Sequence, residues 1–306
     1  MYRKLLTDYM HNHATLPTGI KIHYVEAGIN SNPLMLFVHG FPEFWYSWRY
    51  QLEHFKEKYR VVAIDQRGYG DSDRPKDIGE YHVDKLAQDV EDLIHVLGHS
   101  TAVVVGHDWG GAVVWRHAMR FPETVDRLVV MNLPHEAVLE QLLNNGSGQL
   151  LRSWYMFFFQ TPWLPEFMIA SEDFKMLEET FWGQFGLRNK EKVTGEDLEA
   201  WKATFSAPGA LTAAIDYYRC AMKRPESEPR DMIIKPRILL LWGEEEAFLM
   251  REGAEESMKW CRNGQLHYVK NACHFVQQDA PEEVNQIMEE FLVDLGDHGV
   301  DNLKKH

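Results

Sequence analysis

Nine consecutive residues, Val103-Val104-Val105-Gly106-His107-Asp108-Trp109-Gly110-Gly111, put a carboxylate where an apolar run ends and a helical pattern begins. Glycines stand two places before and two places after Asp108. That is the layout of a nucleophile elbow, in which small neighbours let the chain turn sharply and push one side chain out. Most such turns present serine. An aspartate there implies attack on an sp³ carbon rather than on an acyl group. Aspartate also stands in ordinary strand-to-loop turns, because it tolerates unusual backbone angles. The chemical reading therefore depends on partners elsewhere in the chain.

A nucleophile of this kind needs a base, an orienter for the base, and donors for developing negative charge. Phe37-Val38-His39-Gly40-Phe41-Pro42 closes an earlier apolar run. The Phe41 amide could pair with that of Trp109 as an oxyanion hole; the same residues also suit a plain turn. His274, in Ala272-Cys273-His274-Phe275, follows the last strand pattern and precedes the last helix pattern. In the chain order nucleophile, acid, histidine, that is the place of the base. Leu241-Trp242-Gly243-Glu244-Glu245-Glu246 ends the penultimate strand pattern and offers an acid to hold the imidazole. Three successive glutamates leave that choice open, and at least two are expected to be solvated. Cys273 has no setting that would activate a thiol and reads as buried and inert.

These residues need a frame that gathers the ends of distant segments. Strand patterns fall at 20–25, 34–38, 60–64, 101–105, 128–131, 237–242 and 265–269. Several are apolar at every residue, as parallel strands covered on both faces are. Helix patterns lie between them. Val83, Leu86, Ala87, Val90, Leu93, Ile94 and Leu97 follow the i, i+3, i+4, i+7 spacing, and 111–120 and 282–295 also read as helices. The alternation predicts an α/β fold with a mostly parallel, doubly wound sheet. It stops after about Pro134 and resumes near Ile233. Residues 135–232 show no strand pattern and are rich in aromatics, among them Trp154, Phe157, Trp163, Phe181 and Phe185. They read as a helical cap inserted into a core made of 1–134 and 233–306. Such an insertion covers the sheet edge where these folds bind ligands, and most of its aromatics are expected to pack it onto the core.

Bulk properties narrow the function classes. The chain has 306 residues, 45% apolar, enough for a full core. Its formal charge of −14 argues against nucleic acid or an anionic membrane as partner. The three cysteines, Cys220, Cys261 and Cys273, form no C-x-x-C pair, so neither a disulfide framework nor a zinc site is expected. No apolar run reaches bilayer-spanning length, and the segment from Met1 to Leu6 lacks a signal-peptide core. A reducing, cytoplasmic setting is the expectation. Asn145-Gly146-Ser147 matches a glycosylation sequon but reads as a flexible turn.

Taken together, His39-Gly40-Phe41-Pro42-Glu43, Asp65-Gln66-Arg67-Gly68-Tyr69-Gly70-Asp71-Ser72 and Gly106-His107-Asp108-Trp109-Gly110-Gly111 resemble the epoxide hydrolases of the α/β-hydrolase fold. The resemblance runs from about Tyr24 to Leu295 and is to animal-type enzymes consisting of the hydrolase domain alone. It implies two proton donors that spacing cannot supply. Tyr155 stands in a Tyr-x-x-x-Phe-Gln pattern ending at Gln160, and Tyr218 in a Tyr-Arg pair after Pro208-Gly209, with Tyr217 as the neighbouring alternative. It selects Glu246 as the acid, with one departure, since the family usually has aspartate there. The longer side chain reaches roughly 1.5 Å further, and a ~1 Å misplacement can cost on the order of 100-fold in rate. The alternative acid position, one strand earlier, falls near Asn132, which carries no charge. Phe275 stands where the family often has tryptophan, a change of packing. The Asp65–Ser72 loop is structural in such enzymes.

The activity so implied is hydrolysis of a small apolar epoxide by water to a vicinal diol, through an ester on Asp108, with no metal or organic cofactor. A homodimer is compatible with the sequence. Two other readings use the same frame. Haloalkane or haloacetate dehalogenases also carry an aspartate elbow, and Trp109 would suit a halide, but Phe41 stands where many of them have asparagine. A non-catalytic binding protein on this fold is the third, because fold alone does not imply function.

Overall fold

The computed structural model describes residues 9–222 and 231–293. Its strands are β1 (Met10–Thr15), β2 (Lys21–Ala27), β3 (Leu34–Val38), β4 (Arg60–Ile64), β5 (Ala102–His107), β6 (Val125–Met131), β7 (Arg237–Gly243) and β8 (Gly264–Val269). They form one sheet in the order β1-β2-β4-β3-β5-β6-β7-β8. β1, β2 and β4 pair antiparallel, and every pair from β4 to β8 is parallel. The composition of the central strands explains this. β3, β4 and β5 are buried at every residue and rich in Val, Leu and Ile, as strands sandwiched between helices must be.

Among the helices, α1 spans Arg49–Phe55, α2 Val83–Val96 and α3 Trp109–Arg120. α2 turns Leu86, Ala87, Val90, Leu93 and Ile94 to the core, the apolar face read from its spacing. The sheet register sets the site. Val38 lies opposite Gly106, His107 opposite Met131, Met131 opposite Leu241, and Gly243 opposite Val269. The C-terminal ends of β3, β5, β6, β7 and β8 therefore finish side by side, and the loops that leave them share one edge.

Between β6 and β7 the described residues contain helices and no strand: α4 (Glu136–Asn144), α5 (Gln149–Arg152), α6 (Trp154–Phe158), α7 (Leu164–Trp182), α8 (Gly195–Phe205) and α9 (Ala210–Ala221). α7 is interrupted at Ser171–Phe174, where the backbone leaves helical angles. Its aromatics divide into two groups. Phe181 and Trp201 are fully buried, with Trp201 packed on Phe44 at 5.2 Å and Phe181 on Phe275 at 5.1 Å between ring centres. Tyr155, Phe158, Phe159, Phe174 and Trp182 also pack against the core, while Trp154, Phe157, Trp163, Phe167 and Phe185 are exposed. The chain closes with α10 (Arg251–Ser257), α11 (Val276–Asp279) and α12 (Pro281–Val293). Residues 294 and 295 of the last expected helix, and Met1 to Leu6, lie outside the described residues.

β1 has no counterpart in the sequence reading. It is an edge strand, Met-His-Asn-His-Ala-Thr, with only Ala14 buried. A strand that buries almost nothing carries no alternation of apolar and polar residues to detect.

Candidate active site

Asp108 occupies the tip between β5 and α3 with φ 49° and ψ −121°, in the positive-φ region that non-glycine residues enter uncommonly. Its flanking glycines are needed for space. A Cβ on Gly106 would lie 2.4 Å from the Gly110 carbonyl oxygen, and one on Gly110 would lie 2.0 Å from that of Val38. A side chain at Gly106 would drive α3 away from β5, and one at Gly110 would drive it away from the end of β3; either would move the carboxylate. The tip is thus held by backbone packing, and Asp108 is only 8% exposed.

Two groups meet at this carboxylate, and a third lies beside it in the chain. The Phe41 amide, from the loop after β3, donates to Asp108 Oδ1 at 2.8 Å. Trp109 follows directly at the first turn of α3, where amides lack intrahelical acceptors. His274 Nε2 lies 3.4 Å from Asp108 Oδ2. The far side of that imidazole is held as well: Nδ1 donates to Glu246 Oε2 at 2.6 Å. Glu246 in turn is fixed at both oxygens. Oε1 accepts from the amides of Phe248 at 2.7 Å and Leu249 at 3.2 Å, while Oε2 also accepts from the Asn132 side-chain amide. Glu244 and Glu245 face solvent. The longer acid therefore reaches His274 at normal hydrogen-bond length, and its loop amides take up the other oxygen.

The electrostatics follow from this packing. Burial by itself would lower the pKa of His274, but Glu246 and Asp108 on its two sides outweigh that and raise it to about 10. Burial pushes the Glu246 carboxyl up, and the imidazole, the Asn132 amide and the Phe248 amide more than reverse this, so it stays ionised. Tyr155 and Tyr218 are raised by burial first and then by the Asp108 charge they face. For Tyr218 a hydrogen bond from the Trp109 side chain offsets a little of that rise. Both phenols keep their protons at any physiological pH.

The two tyrosines are brought together by the helices between β6 and β7, on α6 and α9. Their rings lie 5.9 Å apart, and Tyr218 packs edge-on to Phe41 at 5.5 Å, Trp109 at 5.2 Å and Phe159 at 4.9 Å. Tyr217 turns the other way. It is fully buried and its hydroxyl donates to the Arg67 carbonyl at 2.7 Å. Arg67 itself is spent on Asp89, gripped at 2.6 Å by both Nε and Nη2. The structure thus gathers Asp108, Phe41, Trp109, His274, Glu246, Tyr155 and Tyr218 at one sheet edge.

Two features were not legible beforehand. Asn132, at φ 45°, accepts from the Gly243 amide at 3.2 Å while donating to Glu246, so it ties β6 to the acid. Beneath the elbow, His107 donates to Glu43 Oε2 at 2.6 Å and to the His274 carbonyl at 2.8 Å. Glu43 also accepts from the Gly40 amide at 3.0 Å and from Gln277 and Gln278 at 2.8 and 2.9 Å. Burial would raise its pKa, but His107, the Gly40 amide and His39 bring it down to about 2. One buried carboxylate thereby joins the loop after β3, the elbow and the loop that carries His274. Its only signal in the sequence is a charged residue inside an otherwise apolar and glycine-rich motif.

Comparison with known proteins places this architecture. A family model described as the alpha/beta hydrolase fold matches residues 33–281. The chain is 44% identical to epoxide hydrolase 2 of Caenorhabditis elegans over 90% of its own length and 78% of that protein. It is 45% identical to human epoxide hydrolase 4 over 90% of its length and 76% of that protein. An inhibitor-bound crystal structure of Bacillus megaterium epoxide hydrolase superimposes with a TM-score of 0.82 at 27% identity, covering 92% of this chain and all of that one. The fold is thus that of the α/β hydrolases. Within them, the chain belongs to the epoxide hydrolases.

Proposed function

We propose that the chain hydrolyses small apolar epoxides to vicinal diols through an alkyl ester on Asp108. The observation that carries this reading is the carboxylate at the elbow tip, met on one face by the Phe41 amide and on another by a histidine already paired with a buried acid. Asp108 attacks one epoxide carbon from the side opposite the ring oxygen. Tyr155 and Tyr218, held in their protonated form, hydrogen-bond that oxygen and give the opening alkoxide its proton. A carbon–oxygen bond to the ring breaks as the ester bond forms.

The raised pKa of His274 then acquires a purpose. While Asp108 and Glu246 are both charged, the imidazole is protonated and cannot act as a base. Ester formation removes the Asp108 charge and with it part of what raised that pKa. The imidazolium proton replaces the one lost by the tyrosine pair, and His274 becomes a neutral base only once an ester is there to hydrolyse. It takes a proton from water, whose oxygen attacks the ester carbonyl. The Phe41 amide, with that of Trp109, holds the tetrahedral oxyanion. Collapse returns the Asp108 carboxylate, the imidazolium and both phenols, so the net change is epoxide plus water to diol. Residues 135–232 serve in this reading as the cap that supplies the donors and excludes bulk water.

A single turnover in ¹⁸O-labelled water tests the ester. The first diol is expected to carry the unlabelled oxygen of Asp108, and the label to appear in the Asp108-containing peptide. Label in the first diol without label in that peptide would replace the ester by direct attack of water.

A further inference from the structure

The two helices that carry the phenols are held very unequally. α9 is anchored along its length by buried Leu211, Ala214, Ile215, Tyr217 and Cys220. α6 has only five residues, none of them buried outright, and Trp154 and Phe157 on it are exposed. A helix this short does not hold itself in water, so the place of Tyr155 is imposed from outside. Ring packing seats the phenol, with Phe159 at 5.9 Å and Phe248 at 6.1 Å between ring centres. Apolar contact is non-directional, however, and sets no register along the helix.

Two side chains supply that register, and neither enters the reaction. Gln160, just past the C-cap of α6, donates through Nε2 to the Met156 carbonyl at 2.9 Å and to the Tyr218 carbonyl at 3.1 Å. Arg219, directly after Tyr218, reaches back the other way. Its Nε donates to the Phe159 carbonyl and its Nη2 to the Thr161 carbonyl, each at 3.0 Å. These carbonyls follow the end of α6, where no intrahelical donor is left for them. Glu166, in the first turn of α7, takes Nη1 at 2.8 Å and Nη2 at 3.1 Å, and Asp216 takes Nη1 at 3.0 Å. Every N–H of the guanidinium fork is therefore used, and side-chain exposure of 12% shields these bonds from solvent.

We infer that Gln160 and Arg219 form a reciprocal clasp that fastens α6 to α9 and so positions Tyr155 beside Tyr218, where both hydroxyls reach one oxygen. Both are positioning residues. α9 is anchored independently, so loosening the clasp displaces Tyr155 and leaves Tyr218, Asp108 and His274 in place. Ring opening, which uses both phenols, is then the step that suffers. Ester hydrolysis, carried by His274 and the amides of Phe41 and Trp109, does not. This consequence rests on the epoxide reading; the clasp itself does not.

Single-turnover kinetics of the full chain with an aryl epoxide resolve the two steps. Gln160→Leu removes both donors at nearly constant volume and should slow alkylation by ~10-fold, a fraction of what a ~1 Å displacement costs. Ester hydrolysis should stay within about twofold of the parent, which also reports that the variant folds. In a Tyr155→Phe background the same substitution should change alkylation by no more than about twofold, since no hydroxyl is left to misplace. Arg219→Lys keeps a charge for Glu166 and Asp216 but loses the fork. It should reproduce the pattern, so the test does not depend on one variant. Equal slowing of both steps, or an undiminished effect without the Tyr155 hydroxyl, would reveal a merely structural role and overturn the inference. So would parent-like alkylation in both variants. Fluorotyrosine reads the geometry apart from the chemistry. The ¹⁹F resonance of Tyr155 is expected to broaden in both variants, and an unchanged resonance overturns the clasp. A parent chain that forms no ester, with that broadening still seen in the variants, defeats the epoxide reading and leaves the clasp standing.

Discussion

The two halves of the site are held by opposite means. On the sheet side, each group that the proposed mechanism uses is fixed through polar bonds: Asp108 by the Phe41 amide, His274 by Glu246, and Glu246 by two backbone amides and Asn132. On the helical side, Tyr155 and Tyr218 are located by ring packing against Phe41, Trp109, Phe159 and Phe248. The difference matches what the proposed mechanism asks of each half. Charges that change during turnover need directional partners that hold position while the field reverses. Phenols that only lend a proton can be carried on a packed surface, and that surface can be reshaped for another substrate without moving the charges.

The largest expected effect breaks the polar half outright. Asp108→Ala removes the nucleophile, and diol formation should fall by ~10⁴-fold or more, the order seen when a covalent catalyst is deleted. Residual activity within tenfold of the parent would sink the ester mechanism. His274→Gln comes next. It leaves alkylation possible and removes the base, so steady-state turnover should drop by ~10³-fold. Intact-mass measurement should then show the protein heavier by one substrate. Loss of turnover with no such adduct would mean that His274 is needed earlier than the second step.

Glu246→Gln tests the pH side of the same half. Glu246 is the largest of the influences raising His274, so its neutralisation should lower the imidazole from about 10. The sign is fixed by which form is charged. In the proposed cycle the imidazolium returns the proton that the tyrosine pair gives up, so steady-state turnover in the parent should hold up to about pH 10 and decline above it. In Glu246→Gln that decline should begin at lower pH, with a loss in overall rate of ~10²-fold. An unchanged alkaline limb would mean that Glu246 does not govern the charge of His274.

How much of this was legible beforehand follows the same division. The central strands and the elbow announce themselves, because continuous apolar runs and a Gly-x-Asp-x-Gly turn leave few alternatives. His274 could be placed from chain order alone. The acid could not, since Glu244, Glu245 and Glu246 differ only in which way the loop turns, and that is decided by amides at Phe248 and Leu249. β1 was invisible for want of buried side chains. The bond from Asn132 to Glu246 and the Glu43–His107 pair were invisible for a different reason. Each acts across strands far apart in sequence, and a partner 64 residues away leaves no spacing to read. In the helical half the tyrosines could be named only by likeness to a family, because among so many aromatics no local pattern separates a proton donor from a packing residue.

Tyr155→Phe and Tyr218→Phe weaken the helical half. Each should lower alkylation by ~10- to 100-fold, because one hydroxyl covers in part for the other. Both together should cost more than either, in pre-steady-state alkylation measured with an aryl epoxide. Tyr217→Phe gives the smallest effect and the sharpest comparison. Tyr217 and Tyr218 are adjacent, both buried, and both touch Trp109, with ring centres 5.5 and 5.2 Å away. Only the direction of the hydroxyl differs, since that of Tyr217 donates to the Arg67 carbonyl. Deleting it should leave turnover within about twofold and cost about 1 kcal/mol of stability in a denaturant titration, the usual worth of one buried hydrogen bond. If Tyr217→Phe instead lowered alkylation as far as Tyr218→Phe does, the helical half would act through its packing as a whole, and the assignment of the donor to one face of α9 would fall.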